Sequence, residues 1–321
     1  MTGVLAFLYI TYPHTYKDAQ RGTLIRDNAL LRMDLRRKYI PNRYIFPQLL
    51  NIGSHGVICT VSESNHPNQM FVAKAHRKFQ TIRQEIMNYR YVQSLSGFAR
   101  CYDAFTMPLS DNANLTRSRF CHIMITEHVG ECLQDILKRS GVINQKNVIT
   151  LGYKLFYIVE SLHAARLVHR NISLKNVMLQ RMSNGEVRML LIGLDDALPL
   201  DPSPVDNFDV VSQDSSPFVD DGNPYQKFDD FISGIYLILR LSGIDIFENT
   251  GGDFRRIANQ KQRFHQNPHG FLNNENAWIG HLYNEIQAQR VNGYNHYHIF
   301  QNFQQAIPNF VPVYNETIFL S

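Results

Sequence analysis

The stretch "DDFISGIYLILRLSG", Asp229 to Gly243, limits what this chain can fold into more than any other. Its apolar residues are not confined to one face. A helix that is apolar all round must be buried on all sides, so the rest of the chain has to wrap it. The sequence from about Leu133 onward is suited to that. "NVITLGYKLFYIVESLHAARL" predicts a long helix with an apolar face. The region before it has another texture. "RYIFPQLL", "GVICTV", "MFVAKA" and "CHIMITEHV" are short runs rich in β-branched and aromatic residues, which read as strands. Between the third and fourth, "QTIRQEIMNYRYVQSL" has helical periodicity. The expected fold class is α+β, a small β-rich lobe followed by a larger helical lobe. Residues 42–128 and 129–312 are read as the two lobes, 1–41 as an extension and 313–321 as a tail. In the extension, Leu24, Leu31 and Leu35 lie near helical spacing. They predict a short amphipathic helix that packs on its own domain or, alternatively, binds a partner.

Composition narrows the function classes. A chain of 321 residues with 44% hydrophobic content can bury a sizeable core. Its 32 basic and 28 acidic residues leave a net charge of +4, so no nucleic-acid partner is expected. The early basic residues Arg32, Arg36, Arg37, Lys38 and Arg43 read as a solvated face. Cys59, Cys101, Cys121 and Cys132 are far apart with no CxxC pair, so neither a disulfide framework nor a zinc site is expected. An intracellular location, cytoplasmic or nuclear, follows as the expectation. The apolar run Val4 to Ile10 is short, with no basic leader and no clear cleavage site, and does not read as a signal peptide. No run approaches the ~18 apolar residues that a membrane span needs.

Several segments carry residues with chemical potential. "LNIGSHGVI" sets Gly53 and Gly56 three apart, which lets a backbone close over phosphates but also occurs in ordinary hairpins. "FVAK" ends at Lys74, and Glu85 follows eleven residues later on the expected helix. "MITEHVGECLQDIL" joins the two lobes, and "LVHRNISLKNVML" contains His169, Arg170, Asn171, Ser173 and Asn176. "LLIGLDDALPL" contains Gly193, Asp195 and Asp196, and "SSPFVDDGNPYQKFDDF" leads into the apolar helix. In this order, and with the wording of "CLQDILKRSG" and "KFDDFISGIYLIL", roughly residues 42–310 resemble a protein kinase domain. The group they resemble is the casein-kinase-one group, which includes the tau-tubulin and vaccinia-related kinases.

The resemblance implies a two-lobed kinase fold and a set of roles. Gly53 and Gly56 match the second and third glycines of G-x-G-x-x-G-x-V, with Asn51 at the first glycine and Ile58 at the Val. Lys74 and Glu85 would form the ion pair that positions nucleotide phosphates. Thr126 would be the gatekeeper, and Glu127, His128 and Val129 the hinge. Ile58, Ala73 and Met178 would line an adenine slot. In the loop written H-R-D-x-x-x-x-N in active kinases, His169, Arg170 and Asn176 are kept, Asn171 replaces the base and Ser173 replaces a lysine. Anchored on Ala197, the magnesium-binding Asp of D-F-G becomes Gly193; a slipped register would instead offer Asp195 or Asp196 to the metal. Ser216, Pro217 and Phe218 stand for A-P-E, so the anchoring Glu is Phe218. Asp230 would bind the catalytic-loop backbone, and His169 and Asp230 are read as structural. Ser212, Ser215 and Ser216 are offered as phosphorylation sites.

These departures imply a catalytically inactive pseudokinase, acting as a protein-binding scaffold or allosteric regulator. The alternatives are an atypical active Ser/Thr kinase using Asp195 or Asp196, and a nucleotide-responsive switch without turnover. No cofactor is required on this reading, and ATP would bind weakly and without magnesium. The expected partner is a protein, either an active kinase or a kinase substrate.

Overall fold

Alternation of side chains builds the first lobe. In this computed structural model, which describes residues 43–53, 56–76, 79–108, 120–200, 212–315 and 318, strands β1 (Tyr44–Gly53), β2 (Gly56–Glu63) and β3 (His66–His76) pair antiparallel in succession. Strand β3 then pairs with β5 (Phe120–Glu127), and β5 with β4 (Cys101–Pro108), so the sheet order is β1-β2-β3-β5-β4. Residues two apart share a face. Val57, Cys59, Val61, Phe71, Ala73, Ala75, Ile123 and Ile125 form one apolar cluster. The opposite face carries Ile58, Val72, Lys74, Met124 and Thr126, set side by side through the pairs Ile58–Lys74, Lys74–Met124 and Val72–Thr126. Helix α1 (Phe79–Val92) packs there and buries Ile82, Glu85, Asn88, Tyr89 and Val92, at spacings of three and four. The helix expected around Leu24 to Leu35 lies outside the described residues.

The second lobe forms around α3 (Gln145–Ala164) and α5 (Lys227–Leu241), after the shorter α2 (Leu133–Ser140) and α4 (Pro217–Asp220). Asn144 caps α3 by accepting from the Asn147 N–H at 2.9 Å. Helix α5 is buried without a break from Phe228 to Leu239, as its all-round apolar text requires. It packs on α3 and α7 (Ala277–Asn292) and meets α6 (Phe254–Gln266) through Tyr236 and Phe264, while α8 (His296–Gln304) packs on α3 and α7; Phe156 stacks on Phe231 at 5.0 Å. Two small sheets interrupt the helices: β6 (Glu131–Cys132) with β8 (Val177–Arg181) and β9 (Val187–Leu191), and β7 (Leu167–Val168) with β10 (Leu198–Pro199). No disulfide joins the four cysteines, and no described helix is long and apolar enough to cross a membrane. The tail folds back: Tyr314 packs on Tyr157 at 4.6 Å and shares a hydrogen bond with Ser96 at 2.8 Å.

The segment before α5 is pinned from within. The Arg290 guanidinium lies 4.2 Å from the Phe218 ring and bonds Asp229 at 2.6 Å, so a cation–π contact stands at the Phe218 position that matches A-P-E. Ser216 donates to Asp229 at 2.5 Å. Lys261 is buried and donates to the Ser212 carbonyl at 2.7 Å, to Ser215 at 3.0 Å and to Asp220 at 2.7 Å. Burial pushes the Lys261 ammonium down and the Asp220 carboxyl up. Ser215 and Ser216 are buried with their hydroxyls engaged, which corrects the expectation that they are exposed phosphorylation sites. Lys261→Met should cost about 3–5 kcal/mol in denaturant unfolding, because it strands Asp220. Adding Asp220→Asn should recover part of that loss. A single variant within about 0.5 kcal/mol of the parent would show that the pin is not under load.

Candidate functional site

The loop that resembles a catalytic loop follows β7 and hangs from Asp230 in the first turn of α5. The fully buried Asp230 carboxylate accepts from the His169 N–H at 2.8 Å, the Arg170 N–H at 2.9 Å and the Tyr225 hydroxyl at 2.7 Å, and meets His163 Nε2 at 2.8 Å. Burial alone would raise its pKa, but the contacts with His163 and His169 outweigh it and hold the carboxyl below the usual range. Asp230 thereby fixes Arg170 in the left-handed region, at φ 68°. Burial pushes the His169 imidazolium down. The neutral ring donates from Nε2 to the Ile192 carbonyl at 3.0 Å and accepts at Nδ1 from the Asn171 N–H at 3.2 Å.

That scaffold aims Asn171 at a carboxylate. Asn171 Nδ2 donates to Asp196 at 2.9 Å, and Asn176 Nδ2 donates to the Asn171 carbonyl at 2.8 Å. Ser173 accepts through its carbonyl from the Asn176 N–H at 3.0 Å. The insertion "QRMSNGEVR" is absorbed by the β8–β9 hairpin, whose pairing of Val177 with Leu191 sets Gly193 two residues past the end of the strand. Gly193 has φ 82°, and a Cβ there would lie 2.9 Å from the Asn176 side chain. A side chain at 193 would have to displace the Asn176 amide.

Asp195 and Asp196 both point at residues of the candidate site, Asp195 at Lys74 and Asp196 at Asn171. Lys74 Nζ sits 2.7 Å from Glu85 and 3.5 Å from Asp195. Burial would push the ammonium down, but Glu85 and then Asp195 outweigh it and hold it above the usual lysine range. The groups that could meet a cation are Asp195, Asp196 and Asn176. Among the described residues, no three His, Cys, Asp or Glu side chains are grouped to hold a metal ion.

At the lobe junction Thr126 is buried. Glu127 uses its carboxylate on Arg188, at 2.9 and 3.4 Å, and on the Arg100 N–H at 2.8 Å. The His128 carbonyl accepts from Gln180 at 2.8 Å. Ile58 and Met178 are half-buried, with Ile58 opposite Lys74. Ala73 does not belong with them. It lies on the other face of β3, in the apolar cluster of the first lobe, and Val72 shares the face of Lys74 because strand side chains alternate. Asn51 pairs with Ile58, and Gly53 with Gly56, at the β1–β2 turn. Gly56, at φ 111°, would put a Cβ 2.4 Å from the Ala75 carbonyl oxygen, so packing alone demands glycine there.

Residues that the sequence reading passed over complete the site. Asn88 Nδ2 donates to the carbonyls of Leu194 at 2.8 Å and Ala197 at 3.0 Å, and the Gly193 N–H donates to Tyr89 Oη at 3.2 Å. Their signal was the polar Asn88 three residues after Glu85, on the inward face of a helix.

The Asn171–Asp196 contact generates a test. Asn171→Asp sets two carboxylates side by side. The variant should lose on the order of 1–2 kcal/mol at pH 7. Like charges raise the folded-state pKa of the pair, so the deficit should vanish as pH falls through it, and Asp196→Asn should relieve it at neutral pH. Equal stability of parent and Asn171→Asp at pH 7 would show that the two side chains do not meet.

No protein-family model matches the chain. The serine/threonine-protein kinase PKH3 of Saccharomyces cerevisiae is 24% identical over 197 residues, 58% of this chain and 20% of that protein, so the chain spans about a fifth of that relative's length. A solved structure of vaccinia related kinase 3 matches with a TM-score of 0.64 at 15% identity, over 90% of this chain and 99% of that one. The five-stranded lobe and the helical lobe agree with this likeness: the chain has the two-lobed fold of the protein kinases.

Proposed function

We propose that this protein uses the kinase fold without transferring phosphoryl groups, and acts on another protein as a scaffold or allosteric regulator. The observation that supports this most is Asn171. It stands at the position of the general base, and its amide is a donor to Asp196. An amide does not accept a proton near neutral pH. General-base catalysis contributes ~10²–10⁴-fold, and a metal clamp adds several kcal/mol of charge stabilisation. Gly193 offers no side chain to that clamp. Lys74 is held by Glu85 and Asp195. ATP binds weakly on this reading, through Lys74 and the junction, without a magnesium requirement. The partner is an active kinase or a kinase substrate, and the setting is intracellular.

A second reading has its own observation. Asp195 and Asp196 bring two carboxylates into the cleft that positions 171 and 193 do not supply. An atypical Ser/Thr kinase would use them for the metal. Phosphotransfer from ATP to generic Ser/Thr protein substrates, with Lys74→Met as the blank, separates the two. The proposal expects no transfer above the blank. Transfer that needs Lys74 overturns it, and if Asp195→Ala also abolishes that transfer, the second reading replaces it.

A further inference from the structure

In the kinase fold the lysine–glutamate pair exists only while the helix bearing the glutamate is packed inward. Here that means α1 and Glu85, which Lys74 meets at 2.7 Å. The holding groups belong to the chain. Gln84 donates to Asn88 Oδ1 at 3.1 Å, one helical turn away. This orients the amide so that both Nδ2 hydrogens reach the Leu194 and Ala197 carbonyls. The next residue, Tyr89, accepts from the Gly193 N–H. Asn88 and Tyr89 are 4% and 3% exposed, and Leu194 and Ala197 are fully buried. The network is therefore satisfied and shielded from water, the setting in which such bonds specify one conformation. Lys74 closes it, touching Glu85 on α1 and Asp195 within the same segment.

We infer that Gln84, Asn88 and Tyr89 form a built-in lock between α1 and residues 193–197, which keeps the helix inward whether or not the cleft is occupied. The lock holds both partners. Rotation of α1 about its axis would strand the Ala197 carbonyl and leave that of Leu194 with only the long bond from the Ala197 N–H at 3.4 Å, and outward movement of residues 193–197 would strand the Asn88 amide. Each is costly in a dry interior. Regulation by nucleotide-driven movement of α1 is thus closed to this protein, and the shape it presents to a partner is constant. This bears on the proposed function by separating a fixed scaffold from a nucleotide-responsive switch. The lock itself rests on the fold and does not depend on the absence of phosphoryl transfer.

Amide hydrogen exchange on the full chain tests it. Asn88→Asp is isosteric and replaces both donors with a carboxylate facing two carbonyls. Exchange across residues 192–200 should quicken about tenfold or more relative to the parent, while α7 is unchanged. Tyr89→Phe removes only the hydroxyl and should speed exchange of the Gly193 amide by a smaller factor, which decides the matter should Asn88→Asp fail to fold. In the parent, magnesium ATP should leave exchange in α1 and residues 192–200 unaltered. Unchanged exchange in Tyr89→Phe and Asn88→Asp overturns the lock, as does an ATP-induced change in those two regions of the parent. Phosphotransfer is not read in this experiment, so failure of the lock and failure of the proposed function are separate results.

Discussion

A fully buried carboxylate is tolerated only if donors surround it, and Asp230 is where the site begins. It lies in the helix whose apolar text forces it into the centre of the second lobe. Its donors are the backbone of His169 and Arg170, the Tyr225 hydroxyl and the His163 ring. The most buried helix is thereby joined to the loop that faces the cleft. His169 passes the constraint to the Ile192 carbonyl, and the Asn176 carbonyl accepts the Ile192 N–H at 2.8 Å. The positions of Asn171, Asn176 and Gly193 are consequences of that chain of bonds.

Three of the departures from an active-kinase pattern are met by a neighbour. Asn171 is used by Asp196, the space above Gly193 is filled by Asn176, and Phe218 receives Arg290. The fold thus remains closed where chemical groups are missing. What stays fully built is the link between lobes. Lys74 holds Glu85, Asn88 holds the 193–197 segment, and Leu191 donates to the Gly97 carbonyl at 2.8 Å. These links support the proposal that the fold serves recognition.

The two-lobed α+β layout was legible because its signals are strong ones: an all-apolar helix, and β-branched runs between turns. Strand β4 was not, since "CYDAFTMP" mixes Asp, Ala and Pro into a half-exposed edge and lacks clean alternation. The order of segments was enough to relate Lys74 to Glu85. It did not show which strand residue shares the face of Lys74; Ala73 is adjacent in sequence, and adjacency in a strand means opposite faces. The sequence offers Asp195 and Asp196 as alternatives for one metal position, whereas the turn after β9 sets them to different partners, Asp195 to Lys74 and Asp196 to Asn171. Asn88 and Tyr89 escaped notice because a polar residue on a helix reads as solvated until the partner carbonyls, more than 100 residues away, are in view. Ser215 and Ser216 looked exposed for the same reason, as long-range partners bury them.

The claim at the centre of this account is that the fold is kept while metal-dependent handling of phosphate is lost. Thermal unfolding with millimolar ATP, in magnesium and then in EDTA, addresses it most directly, because a ligand that binds only the folded state raises the midpoint. The account predicts a midpoint that is the same in both buffers, whether unshifted or raised equally by metal-independent binding. A rise that appears with magnesium and disappears in EDTA would contradict it, because it would place a working metal carboxylate in the cleft.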